Sequence, residues 1–132
     1  MPLLPVRLTP GLDLRRALAA VAAQQTTGSV FVVAGIGSLD AANLRYAGDA
    51  TETMIAGPLE ILNVSGTLCP SGAHLHMTVS DATGRVHGGH VGHGNVIRTT
   101  AEILLIVLQE WSLTREHDAA TGFDELLVSP RL

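Results

Sequence analysis

The sequence predicts an α+β domain, a mainly antiparallel sheet with one N-terminal amphipathic helix, and two patterns carry that prediction. Apolar residues recur at helical spacing in the first quarter of the chain, at Leu14, Leu18, Val21 and Ala22. Beyond residue 28 they come instead as short β-branched runs or alternate with polar residues, punctuated by glycine and proline. One domain over residues 1–132 is expected. A chain of 132 residues supplies one core and is too short to divide comfortably into two.

The helix is read in "TPGLDLRRALAAVAAQQTTG", with Asp13 as candidate N-cap after Pro10-Gly11 and Gly28 as candidate stop. "SVFVVAG" then reads as a buried strand ended by the glycine turn "GIGS", with a second strand at "AANLRY". Gly35-x-Gly37 lacks the third glycine and the following helix of a dinucleotide fingerprint, so a turn is expected there. "TETMIA" follows, then a break at Gly57-Pro58, then "LEILNVSGTL", "AHLHMTVS", "RVHGGHV" and the long run "VIRTTAEILLIVLQEW". "LTREH" and "ELLVS" close the chain, the former a charged surface strand that includes His117. No repeat or linker interrupts this order.

Composition excludes several functions. Net charge is −4, with eight arginines, no lysine and no basic run, so no general phosphate-binding surface is visible. Four aromatic residues are too few for a platform that stacks single-stranded bases. The stretch "RRALAAVAA" is too short and alanine-rich for a secretory signal, and no segment reaches the eighteen apolar residues of a membrane span. A soluble cytoplasmic protein is expected. Cys69, the single cysteine, cannot close an intrachain disulfide and is read as a small buried hydrophobe. Apolar residues at 46% against charged residues at 15% leave surface for other subunits to cover.

Five of the six histidines fall within "HLHMTVSDATGRVHGGHVGH", residues 74–93. Alternation along "AHLHMTVS" puts His74, His76, Thr78 and Ser80 on a polar face and Leu75, Met77 and Val79 on the core face. "DATGR" fits a three-residue hairpin loop, a type I turn followed by Gly84 in the left-handed region, in which Asp81 pairs with Arg85. That register sets His76 opposite His90 and His74 opposite Gly92, so three imidazoles share one face while His87 points away. A four-residue loop would turn His90 to the core and bring His87 opposite Thr78 instead. Gly88 and Gly89 leave room for a bulge or for close approach of a ligand. His93 is either a fourth member or a loop residue.

"LEILNVSGTL", "HLHMTVSD", "GRVHGGHV" and "VIRTTAEILL", in that order, resemble the stand-alone prokaryotic form of the plant and prokaryote conserved (PPC) domain, also found in plant AT-hook nuclear proteins. "AGIGSL" near the N-terminus and the closing "REHDAATGFDELLVS" extend the resemblance over nearly the whole chain. It implies an α+β fold, assembly as a homotrimer, and a divalent-metal site on His74, His76 and His90. It also implies a DNA-binding label, which this chain's charge does not support, since no Arg-Gly-Arg arm for the minor groove is present.

Three function classes follow. One is a trimeric module holding a divalent ion, Zn²⁺ by ligand type, with water or a small-molecule ligand completing the coordination. Another is a metal-dependent hydrolase or lyase on the same site, for which Glu60 and Glu102 are the carboxylates in the motif strands. The last is a transcription-associated assembly module acting on DNA through partners. No G-x-S-x-G elbow surrounds Ser65, Ser71 or Ser80, which argues against a serine hydrolase.

Overall fold

The computed structural model describes residues 2–132. Among the described residues, strand β1 (Leu3–Leu8) precedes one helix, α1 (Leu14–Ala23), and then β2 (Val30–Arg45), β3 (Thr53–Cys69), β4 (Gly72–Ser80), β5 (Val86–Val91), β6 (Val96–Val107), β7 (Trp111–Asp118) and β8 (Phe123–Pro130) follow. All ladders are antiparallel. Six strands form one sheet in the order β1-β6-β2-β3-β4-β5, and β5 pairs back onto β2. The sheet therefore closes on itself through β2, β3, β4 and β5: Leu44 lies between Thr53 of β3 and Val91 of β5. Val64, Leu75, Met77, Val79 and Val91 turn inward and are almost fully buried. Each such side chain contributes roughly 1.5–3 kcal/mol of burial, which fixes inside and outside along these strands.

Helix α1 starts where the sequence predicts. Asp13 is the N-cap, its carboxylate accepting from the Arg16 backbone N–H at 2.9 Å, and Leu14, Leu18 and Ala22 form the buried face against the sheet. The helix ends at Ala23, before the expected stop, and Gly28 takes φ 65° in the turn that follows. Strand β1, in "LLPVRL", is not among the predicted strands. It pairs only with β6, and an edge strand this short carries little periodic signal.

Two expected breaks are continuous strand. The "GIGS" segment is no turn: β2 runs through it, with register shifts against β6 on either side of Gly35-Gly37. A Cβ at Gly35 would drive into Ile103 and Val64, and one at Gly37 into the Thr100 carbonyl and Ala101, so these glycines let β6 approach a bent strand. Strand β3 likewise passes through Gly57-Pro58 to reach Cys69. The run "VIRTTAEILLIVLQEW" does break, at residues 108–110, before β7 starts at Trp111.

Strands β7 and β8 form a separate two-stranded sheet. It is tied to the rest where the Leu113 N–H donates to Ser29 Oγ at 2.9 Å and Arg115 Nη2 donates to Thr67 Oγ1 at 2.8 Å. Cys69 is half-buried rather than buried, its thiol donating weakly to the Gly72 carbonyl at 3.5 Å. Among the described residues, no helix is long and apolar enough to cross a membrane.

Candidate metal centre

The β4–β5 hairpin follows the three-residue-loop register. The Asp81 N–H donates to the Arg85 carbonyl at 2.9 Å, the Gly84 N–H donates to the Asp81 carbonyl at 3.0 Å, and Gly84 sits at φ 84°. Asp81 also reinforces the turn with its side chain, Oδ1 accepting from the Thr83 N–H, the Thr83 hydroxyl and the Arg85 N–H. In this register His76 faces His90, and Val79 faces His87. Gly92, expected opposite His74, has left the β4 ladder and donates instead to the Asn43 carbonyl.

His74, His76 and His90 come together on the outer face of the closed sheet, each offering a ring nitrogen within 4.8 Å of the other two. His76 is nearest both partners: ring centroids are 4.5 Å apart for His76–His90, 5.0 Å for His74–His76 and 5.4 Å for His74–His90. Across β3, His74 pairs with Thr67 and His76 with Ser65. Gly66 between them, at φ 146°, has no Cβ to strike the His74 carbonyl, which lets β3 and β4 run close behind the cluster.

Burial, the Arg115 guanidinium and the two neighbouring imidazoles all lower the pKa of His74, against a weaker opposing pull from Glu125. Burial, Arg45 and His76 lower that of His90. Both rings are therefore biased to the neutral form that ligates metal. The donor set fits a divalent ion: three imidazoles suit Zn²⁺, whose Zn–N bonds of about 2.0–2.1 Å in a tetrahedron ask the nitrogens to close to about 3.4 Å.

The other histidines lie elsewhere. His87 turns to Asp81, Nε2 to Oδ2 at 3.2 Å. The Thr83 hydroxyl and His87 hold the Asp81 carboxyl far below the usual range. His93 lies in the loop after β5 with Nδ1 3.4 Å from Asp13 Oδ2, and His117 lies on β7 opposite Asp124. Neither candidate carboxylate joins the cluster. Glu60 pairs with Ser80, about 13 Å of strand from His76, and Glu102 pairs with Arg7 and Ile36 across β6. Residues that do surround the cluster were not singled out by sequence: Arg15, Arg45, Arg115 and Glu125 line a cleft of about 1020 Å³ that includes His74 and His90. A smaller hollow of about 400 Å³ also includes His90 and is lined by His76, Ser65 and Arg45.

Residues 2–109 match the Plants and Prokaryotes Conserved (PCC) domain, the family already suggested by the histidine motifs. The chain belongs to the PCC domain family. Two proteins named bifunctional protein GlmU, from Synechococcus strains, are 46% and 47% identical over 126 and 124 residues, 96% and 94% of this chain. The chain spans 20% of the length of these curated relatives. A hypothetical protein from Salmonella enterica superposes with TM-score 0.94 at 36% identity, covering 98% of this chain and 94% of its own. A metal-containing protein from Archaeoglobus fulgidus superposes with TM-score 0.82 at 24% identity, over 96% of this chain and 94% of its own. A protein from Bacteroides thetaiotaomicron to which DNA binding has been ascribed does so with TM-score 0.83 at 20% identity, over 94% and 90%. At those identities the likeness of the last two shows a shared fold alone. The PCC match ends before β7, so Arg115 and Glu125 come from a hairpin outside the matched segment.

Proposed function

We propose that this protein is a homotrimeric, cytoplasmic metal-binding module, one domain over residues 1–132, in which His74, His76 and His90 hold one Zn²⁺ per chain. The observation that carries the reading is the convergence of three ring nitrogens within 4.8 Å on one outward face. The metal-containing relative from Archaeoglobus fulgidus, alike in fold, supports it. When bound, the ion supplies a Lewis acid and lowers the pKa of its water to about 7. Elemental analysis of purified protein, before and after chelation and reconstitution with Zn²⁺, tests it: one equivalent per chain is expected, and none would overturn it.

Trimer assembly is supported by apolar surface. Phe31, Val33, Ile36 and Leu62 are exposed on β2 and β3, and Leu127 and Val128 on β8, more than a small monomer usually leaves to water. A two-stranded sheet such as β7–β8 is also marginal without further cover. A DNA role would act through partners, because the net charge of −4 gives duplex phosphate nothing to attract it. The hydrolase or lyase reading keeps one supporting observation, the 1020 Å³ cleft beside His74 and His90 with Glu125 on its wall.

A further inference from the structure

The large cleft beside the histidines is lined by three guanidinium groups delivered by three separate elements, Arg15 from α1, Arg45 from β2 and Arg115 from β7. Each is held by a neutral acceptor: Arg15 Nη1 donates to the Val91 carbonyl at 2.9 Å, Arg45 Nη1 to the Asp49 carbonyl at 3.2 Å, and Arg115 Nη2 to Thr67 Oγ1 at 2.8 Å. Every ion pair found among the described residues involves a histidine, so none of these arginines meets a carboxylate within 4.0 Å. A guanidinium has five N–H donors, and a single anchor leaves most of them for something else.

Four carboxylates share the lining, and two are already engaged. Glu52 accepts from Asn43 Nδ2, and Asp124 faces His117 across the β7–β8 ladder at 4.0 Å. Asp49 and Glu125 remain. Three guanidiniums and a divalent ion on the histidines outweigh them, and the planar fork of arginine matches the oxygens of carboxylate or phosphate.

We propose that this cleft binds a small oxyanion, a carboxylate or phosphate group, between the metal face of His74 and His90 and the guanidiniums of Arg15, Arg45 and Arg115. The inference rests on the metal reading above and names the ligand class of that site. Arg45 and Arg115 are ligand-binding residues, the first placed beside His90 by the β2–β5 pairing and the second bonded to Thr67, the partner of His74 across β3 and β4.

The test is calorimetric titration of zinc-loaded protein with inorganic phosphate and, separately, with oxalate, zinc content being measured on the same samples. Saturable binding of at least one anion is expected, and the arm that saturates tells phosphate from carboxylate. Arg115→Gln and Arg45→Gln should each weaken binding about tenfold with zinc content unchanged, since each removes charge-assisted hydrogen bonds. Arg98→Gln, outside the cleft, should leave it as it was. Zinc at one equivalent with no saturable anion binding, or binding indifferent to both arginine variants, overturns this inference alone. Failure to take up zinc overturns the metal reading and this inference with it.

Discussion

Asp13 ties helix α1 to the loop joining β5 and β6 through three backbone N–H groups, and its replacement by alanine tests how that loop is fixed. Its Oδ2 caps α1 at the Arg16 N–H, while Oδ1 accepts from the N–H groups of Gly94 (2.6 Å) and Asn95 (3.2 Å) in the loop joining β5 to β6. Loss of the cap costs about 1 kcal/mol. Two loop N–H groups deprived of a charged acceptor add roughly 2 kcal/mol at this partial exposure. For a chain of this size, a total of about 3 kcal/mol lowers Tm by roughly 10 °C. Asp13→Ser retains a cap but does not span to Gly94, so it should recover only the first part. Burial would raise the Asp13 pKa, but hydrogen bonds from Arg16 and Gly94 and the nearby His93 hold it below the usual carboxylate value. The part of this stabilisation that depends on the ionised carboxylate is thus complete above about pH 4 and fades as pH falls through the lower folded-state pKa, so the gap between wild type and Asp13→Ala narrows there. Thermal melts followed by circular dichroism measure both effects. A fall under ~3 °C for Asp13→Ala, or full recovery by Asp13→Ser, would refute the loop clamp.

Other outcomes follow from the same geometry. Gly66→Ala puts a Cβ into the His74 carbonyl at a φ that L-residues rarely adopt, and should cost about 3 kcal/mol or more, read from urea midpoints. Because His74 and His90 have depressed pKa values, the unfolded chain takes up protons more readily at these two positions. Metal-free protein should therefore lose stability as pH drops below about 6.5, and a His74→Ala/His90→Ala variant should show a shallower loss between pH 7.5 and 5.5. Light scattering should give a mass of about 41 kDa, three chains of 13.8 kDa, and a monomer at micromolar concentration would contradict the assembly.

Much of the site was legible because the hairpin carries its own register. The Asp81–Gly84 turn and the alternation of His74, Leu75, His76 and Met77 are local signals, and they place His90 across from His76 without knowledge of the rest of the fold. Glycine spacing misled where its purpose was long-range. Gly35 and Gly37 read as a turn, yet they exist for the approach of β6, whose residues lie more than sixty positions away. The cleft arginines were hidden for the same reason. Arg115 reaches the cluster only because β7 is pinned to β3 at Thr67, and Arg45 only because β5 folds back onto β2. Neither pairing leaves a periodic trace in the chain.

Zinc content in two single variants of one hairpin strand separates a metal-facing histidine from its neighbour. His90→Ala removes the imidazole that faces His76 in the proposed site, and should drop bound zinc well below one equivalent per chain after dialysis against dilute chelator. His87→Ala, three residues away but turned toward Asp81, should retain the full equivalent. Equal loss from both, or zinc bound as well by His90→Ala as by the wild type, would contradict the assignment of the site to His74, His76 and His90.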